Sequence, residues 1–320
     1  MSELPKFVEF HEEGPREGFQ IEKTHYPLER RAALIDALSE SGLKQIQVGS
    51  FVSPKAVPTM ADTADLFKAI KRNPDVRYTA LWLNKKGFEL AKATPEADMY
   101  AQIMFYASDA FSRANNNCSA EEMRDRQANW LEMYIENGLE VKNAYFMTAF
   151  GCNYSGEVPL SAVTDYVKWW VALCHDRDVK MPALYLADTV GWANPEEIKR
   201  RVGAVRELAP EARIGLHLHD TRGLGSANVY AALQMGVDLF DSSVAGLGGC
   251  PFSNHGDYGA SGNVCTEDMV FMCQEMGIDT GIDLDALIEA ACLAEDIIGR
   301  RLYGSIMHSG SLMSHRARAT

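Results

Sequence analysis

The sequence predicts an α/β fold of the (β/α)8 TIM-barrel type with extra helices at its C-terminal end. Three observations carry that prediction. Short β-rich runs alternate with longer helical patterns along the chain, the runs number eight, and the 320 residues exceed the roughly 250 that such a barrel needs.

The strand candidates are Phe7–His11, Gln45–Phe51, Tyr78–Leu83, Met99–Phe105, Lys142–Phe150, Ala183–Asp188, Arg213–His219 and Leu239–Val244, each enriched in β-branched or aromatic residues. Helix signals lie between them. Ser119 and Glu122 have capping-box spacing, and Asn194-Pro195-Glu196-Glu197 combines an N-cap residue, a proline at the first helical position and an acidic first turn. The segment after Tyr26 places Leu28, Ala32, Ile35 and Leu38 on one stripe. Strands alternating with helices imply parallel pairing through right-handed crossovers, and eight repeats close naturally into a barrel. An open doubly wound sheet would present the same alternation. Beyond the eighth strand, Thr266–Met276 and Leu284–Ile298 read as helices, and the basic, small-residue-rich Leu312–Thr320 reads as a mobile tail. The expected division is a catalytic domain over residues 1–300 and a tail over 301–320.

Composition narrows the function. Hydrophobic residues make up 47% of the chain and the net charge is −13, with no basic stripe, which argues against a nucleic-acid partner. An acidic protein gives an anionic ligand no general attraction, so any site for one must supply its own positive charge. The seven cysteines, Cys118, Cys152, Cys174, Cys250, Cys265, Cys273 and Cys292, are odd in number, irregular in spacing and free of a CxxC pair. They read as reduced thiols rather than a disulfide framework. The N-terminus shows no basic segment followed by an apolar run, and no apolar stretch approaches a membrane span. A soluble, cytoplasmic protein without a membrane partner is therefore expected.

Polar residues gather where the predicted strands end, the face on which barrel active sites form. After the first strand, Glu13-Gly14-Pro15-Arg16-Glu17-Gly18-Phe19-Gln20 reads as a tight turn holding an arginine beside a carboxylate. The carboxylate suits a hard cation and the guanidinium suits an oxyanion, although a surface turn with a salt bridge has the same composition. At the seventh strand, His217 and His219 lie two residues apart and so face one side. Two imidazoles together suit a divalent metal; two histidines satisfied inside a barrel are the plainer alternative. After the eighth strand, Gly246-Leu247-Gly248-Gly249-Cys250-Pro251 allows close approach of a loop carrying a thiol, or is a glycine turn with an incidental cysteine. Asn263 offers one further oxygen ligand or an ordinary turn residue, and Asp188 a base or a helix-capping group.

Gly14-Pro15-Arg16, Gln20 with Glu22-Lys23, Ser50-Phe51-Val52-Ser53-Pro54-Lys55, Gly151-Cys152, Asp188-Thr189, His217 through Asp220, Gln234-Met235-Gly236-Val237, Asp241 through Pro251 and Gly259 through Asn263 together resemble the 3-hydroxy-3-methylglutaryl-CoA lyase family of the DRE-TIM metallolyases. The resemblance runs over nearly the whole barrel. It implies that Glu17, His217, His219 and Asn263 bind Mg2+ or Mn2+, that Arg16 stabilises an enolate, that Cys250 is a catalytic acid/base and that Asp188 is catalytic. It implies a retro-Claisen cleavage of a 3-hydroxyacyl-CoA to acetyl-CoA and an oxo acid. The expected substrate contacts are Gln20, Lys23, Gln47 and His255. The acyl-CoA thioester is the expected partner, and a homo-oligomer, a dimer, is the expected assembly.

Three departures from the family pattern matter. Glu17 stands where the family usually has Asp, though the related homocitrate synthases use Arg-Glu-Gly. Gln47 replaces a family Glu, which removes a negative charge beside Arg16. Residues Ser253–Tyr258 lengthen the loop carrying Cys250 and add His255 and Asp257. The last two shift the expected preference from 3-hydroxy-3-methylglutaryl-CoA toward a relative such as citramalyl-CoA. Other readings are a Claisen-type synthase of the homocitrate or isopropylmalate kind, a biotin-linked carboxyltransferase barrel, or a metal-binding barrel without catalysis. The first usually carries an added C-terminal domain and lacks the Gly-Gly-Cys-Pro loop; the second needs a biotinyl segment, and none is seen here; intact Arg16, His217, His219 and Cys250 argue against the third.

Overall fold

A computed structural model describes residues 4–249, 262–312 and 316. Its contacts divide the chain into two compact units.

The first unit holds residues 6–99, 241–249 and those from 262 onward. It opens with β1 (Glu9–Glu12), α1 (Gly14–Ile21), α2 (Leu28–Glu40), β2 (Gln45–Ser50), α3 (Thr63–Ala69), β3 (Arg77–Leu81) and α4 (Lys85–Lys92). The strands pair in parallel, with His11 opposite Gln45 and Ile46 opposite Tyr78. β2 is buried along its whole length, which explains its lack of polar alternation. α2 buries Ala32, Ile35 and Leu38 of the stripe expected from its 3.6-residue period, and Leu34 beside them, while Leu28 at its start is half-buried.

The second unit holds residues 4–5 and 100–240. It comprises β4 (Ala101–Tyr106), α5 (Asp109–Asn116), α6 (Ala120–Glu136), β5 (Val141–Met147), α7 (Leu160–Asp176), β6 (Ala183–Asp188), α8 (Pro195–Leu208), β7 (Ile214–Leu218) and α9 (Gly225–Gln234). β4 through β7 are parallel neighbours in chain order. Both predicted helix starts are built as the sequence requires. Ser119 Oγ accepts from Glu122 N at 3.0 Å while the Glu122 carboxylate accepts from Ser119 N at 2.7 Å, and Asn194 Oδ1 accepts from Glu196 N and Glu197 N at 3.1 Å each. Phe105 sits 5.4 Å, ring to ring, from both Phe146 and Trp170, which locks β4, β5 and α7 into one aromatic core.

β8 (Leu239–Ser242) begins in the second unit and ends in the first, where Glu13 N donates to Ser242 O at 2.9 Å. The strand order is β3-β2-β1-β8 in the first unit and β8-β7-β6-β5-β4 in the second. Three helices return to the first unit: α10 (Thr266–Glu275), α11 (Leu284–Ile298), which packs on α2, and α12 (Ile306–Ser309). Of the tail expected over Leu312–Thr320, only Leu312 and Arg316 are described, and Arg316 pairs with Glu275 at 2.7 Å. No helix among the described residues is long and apolar enough to cross a membrane.

All eight expected strands are present, and two expected elements, Ala183–Asp188 and Leu284–Ile298, match to the residue. Three expectations are corrected. The segment Gly14–Gln20 is not a turn but the body of α1, because Pro15 at the first helical turn loses no hydrogen bond and presets the helical φ. β5 stops at Met147, short of Phe150, because Thr148 takes φ 53° and its N–H turns to Thr189 Oγ1 at 2.8 Å. β8 stops at Ser242, short of Val244, which opens a 3-10 turn over Val244–Gly246 with Ala245 at φ 57°.

Candidate active site

The end of β1 gathers charge. Glu13 occupies the N-cap position of α1, and one turn on Arg16 Nη2 lies 2.8 Å from Glu13 Oε2 and 2.8 Å from Glu17 Oε1. Arg16 Nε donates to Gln47 Oε1 on β2. Burial by itself works against the guanidinium charge, but Glu17 and Glu13 more than offset it and raise the Arg16 pKa. The result is a fixed cation with a defined orientation. Gln47, which stands where the resemblance leads one to expect a third acid, spares Arg16 a third negative neighbour.

Glu17 is oriented from its other side as well. Asn263 Nδ2 donates to Glu17 Oε2 at 2.7 Å. Gly248 sits against the same residue at φ 105°, and a Cβ there would lie 3.1 Å from Glu17 Cβ, so the glycine loop after β8 can approach this closely only without a side chain. Asn263 is 2% exposed, and its Oδ1 has no hydrogen-bond partner among the described residues. A buried amide oxygen left so is costly, and a bound cation is one group that meets its demand.

Beneath this cluster Glu12 ties three segments together. Its carboxylate accepts from Gly14 N at 2.8 Å, Val244 N at 2.9 Å and Thr266 Oγ1 at 2.6 Å. Complete burial nevertheless pushes its pKa up to about 7, with those hydrogen bonds opposing the rise.

The ends of β6 and β7 are organised differently. Asp188 accepts from Trp192 N at 2.7 Å and Ala193 N at 3.0 Å, so it caps the turn after β6. Burial pushes its carboxyl up to about 6, opposed by those two N–H groups and by the charges of Arg222 and His217. Its backbone oxygen receives His219 Nδ1 at 3.0 Å. Because a carbonyl only accepts, Nδ1 carries the proton, and the neutral ring keeps its lone pair on Nε2. His217 and His219 face one side as their spacing requires, with ring centroids 5.1 Å apart, and both are buried.

Glu17, His217 and His219 are each able to give one ligand atom to a cation. So are Cys265, Glu267 and Asp268, but the Asp268 carboxylate already receives Ser305 N at 3.0 Å and Ile306 N at 2.8 Å where α12 starts. Of the expected substrate contacts, Gln47 touches Arg16, Gln20 is half-buried and Lys23 is exposed. Cys250, His255 and the rest of Ser253–Tyr258 lie outside the described residues. The sequence reading gave no role to Glu13, Glu12 or Arg222. Glu13 was within reach, since an acid three residues before Arg16 at a proline-started helix is an i,i+3 pair.

Residues 7–293 match the family model described as HMGL-like. The chain belongs to that family. It is 41% identical over 291 residues to the mitochondrial hydroxymethylglutaryl-CoA lyase of Mus musculus, covering 91% of this chain and 85% of the relative. It is 39% identical over 300 residues to a 3-hydroxy-3-isohexenylglutaryl-CoA/hydroxymethylglutaryl-CoA lyase of Pseudomonas aeruginosa, covering 93% and 95%. Among solved structures, an HMG-CoA lyase of Acinetobacter baumannii in complex with coenzyme A and 3-methylmalate superposes with a TM-score of 0.85 at 35% identity, covering 98% of each chain. The fold is the (β/α)8 TIM barrel that the sequence predicts, not the open doubly wound sheet.

Proposed function

We propose that this chain cleaves a 3-hydroxyacyl-CoA between C2 and C3 by retro-Claisen chemistry, releasing acetyl-CoA and an oxo acid. The observation that carries the reading is the near-full-length similarity to two lyases named for 3-hydroxyglutaryl-CoA esters, one for the 3-methyl ester and the other for both the 3-isohexenyl and the 3-methyl ester.

The residues support each requirement of that chemistry. Glu17, Asn263, His217 and His219 are hard or borderline donors suited to Mg2+ or Mn2+, and a cation so bound supplies the Lewis acidity that makes the C3 hydroxyl easier to deprotonate. Asp188, with a carboxyl held near 6, takes the hydroxyl proton as the bond breaks. Arg16 faces the enolate with a charge fixed by Glu13, Glu17 and Gln47, so no reorientation is required as negative charge develops. Cys250 returns a proton to the enolate carbon.

The acyl end sets the preference. Gln47 in place of an acid, and the polar insertion Ser253–Tyr258 in the sequence, favour a substrate other than 3-hydroxy-3-methylglutaryl-CoA, such as citramalyl-CoA. A panel of 3-substituted 3-hydroxyglutaryl-CoA and citramalyl-CoA esters, scored by acetyl-CoA release, tests the reading. Release from at least one ester is expected, and deletion of residues 253–257 should alter the ranking. No release from any ester refutes the activity; an unchanged ranking led by 3-hydroxy-3-methylglutaryl-CoA refutes the preference.

A further inference from the structure

With a net charge of −13, and with Arg16 already facing two carboxylates, the chain needs another cation to hold an anionic thioester. Arg222, in the second unit, has the required properties. It lies in the loop after β7 and is exposed. Its Nη1 donates to Val190 O at 2.9 Å and to Gly191 O at 2.6 Å, on the turn that Asp188 caps. Its Cζ stands 5.7 Å from the centroid of the Trp192 ring.

Trp192 is itself fixed. Its Nε1 donates to Asn153 Oδ1 at 2.7 Å, and its indole lies so close over Gly151 that a Cβ there would come within 2.5 Å of the ring. The loops after β5, β6 and β7 thus meet in one shelf: glycine below, indole in the middle, guanidinium above. One nitrogen of Arg222 is committed to backbone oxygens. Nε and Nη2 keep their N–H groups, and no carboxylate among the described residues forms an ion pair with this guanidinium, although its charge is felt at Asp188.

We propose that Arg222, held on the Trp192 shelf, is a specificity-determining residue that binds an anionic group of the thioester substrate. The group is either the distal carboxylate of the acyl chain or a phosphate of the coenzyme. A guanidinium offers planar, paired N–H groups that suit both. Prior fixing by two carbonyls and a ring reduces the side-chain entropy that an exposed arginine would otherwise lose on binding. The inference rests on the acyl-CoA reading above, but its test does not require turnover.

Three thioesters without a 3-hydroxyl group cannot undergo the cleavage and isolate binding: glutaryl-CoA, valeryl-CoA, which lacks the distal carboxylate, and glutaryl-pantetheine, which lacks every phosphate. Their dissociation constants are measured by titration calorimetry with the wild-type chain, Arg222→Gln and Arg222→Lys. Arg222→Gln should weaken glutaryl-CoA about tenfold or more, the size of a lost charge-assisted hydrogen bond, and Arg222→Lys less. One truncated ester should then show equal affinity for wild type and Arg222→Gln. Valeryl-CoA in that role names the carboxylate, and glutaryl-pantetheine names a phosphate. Equal weakening of all three esters would make Arg222 merely structural and overturn the proposal, as would no weakening of any. If the wild type binds these esters yet releases no acetyl-CoA from any 3-hydroxy ester, the lyase reading fails while the Arg222 result stands.

Discussion

The clusters at the end of β1 and at the ends of β6 and β7 reach order by different means. The first is held by charge: one arginine meets two carboxylates at 2.8 Å each and a glutamine, and a buried asparagine holds one of those carboxylates. The second is held by backbone: the Asp188 side chain receives two N–H groups, its carbonyl receives His219, and Arg222 grips the carbonyls of Val190 and Gly191. A charge-built cluster is sensitive to any change in charge balance or donor geometry. A backbone-built cluster tolerates loss of one side chain without unfolding, and loses only what that side chain binds.

The largest expected effect falls on the first cluster. Arg16→Met and Arg16→Lys should each lower kcat by several orders of magnitude with a smaller change in KM, because the interaction strengthens as the enolate forms. Steady-state kinetics separates this from a pure KM effect, which would reduce Arg16 to a binding residue. Arg16→Met should also destabilise the fold by about 3–5 kcal/mol, since Glu13 and Glu17 lose the guanidinium between them; Arg16→Lys keeps the charge and should cost far less. Similar melting temperatures for the two variants would contradict the charge-built description.

The second cluster should respond the other way. His217→Ala and His219→Ala should weaken Mn2+ binding by at least about 10–100-fold, the loss seen even when only a supporting partner is removed, while the melting temperature falls little. Electron paramagnetic resonance of free Mn2+ measures the first and thermal melts the second. Unfolding without a selective loss of Mn2+ affinity would make these histidines core residues.

A smaller effect sharpens the comparison through pH. Burial pushes the Glu12 carboxyl, under the first cluster, up to about 7 in the folded chain, against an ordinary value of 4.5. Between those values the folded state keeps a proton that the unfolded state releases, so this stabilisation is complete below about 4.5 and disappears as pH rises through about 7. Chemical denaturation should show stability falling from pH 5 to pH 8, with Glu12 contributing on the order of 1–3 kcal/mol and Glu12→Gln flattening the slope. An unaltered slope in Glu12→Gln would assign the pH dependence elsewhere.

Much of this was legible in the sequence, for reasons that differ between the clusters. Strands buried on both faces read as continuous apolar runs, which is why Ala183–Asp188 was found to the residue, and His217 and His219 follow from strand alternation alone. The helix over Gly14–Ile21 was hidden because two glycines and a proline suit a turn equally well until tertiary contacts choose. The end of β5 was hidden because Ala149 and Phe150 continue the apolar run past a residue whose left-handed backbone depends on a hydroxyl 41 positions away. Glu12 and Arg222 have no local pattern. One is a strand carboxylate whose partners are Gly14, Val244 and Thr266, and the other looks like the polar tail of the His-x-His-Asp-Thr segment until its carbonyl partners are known.

Metal-dependent cleavage is the claim on which both clusters converge, and acetyl-CoA release from the best 3-hydroxyacyl-CoA ester, before and after chelation, tests it most directly. Release should stop when the protein is stripped of divalent cations and return on addition of Mg2+ or Mn2+. Undiminished release from the stripped protein would contradict the account.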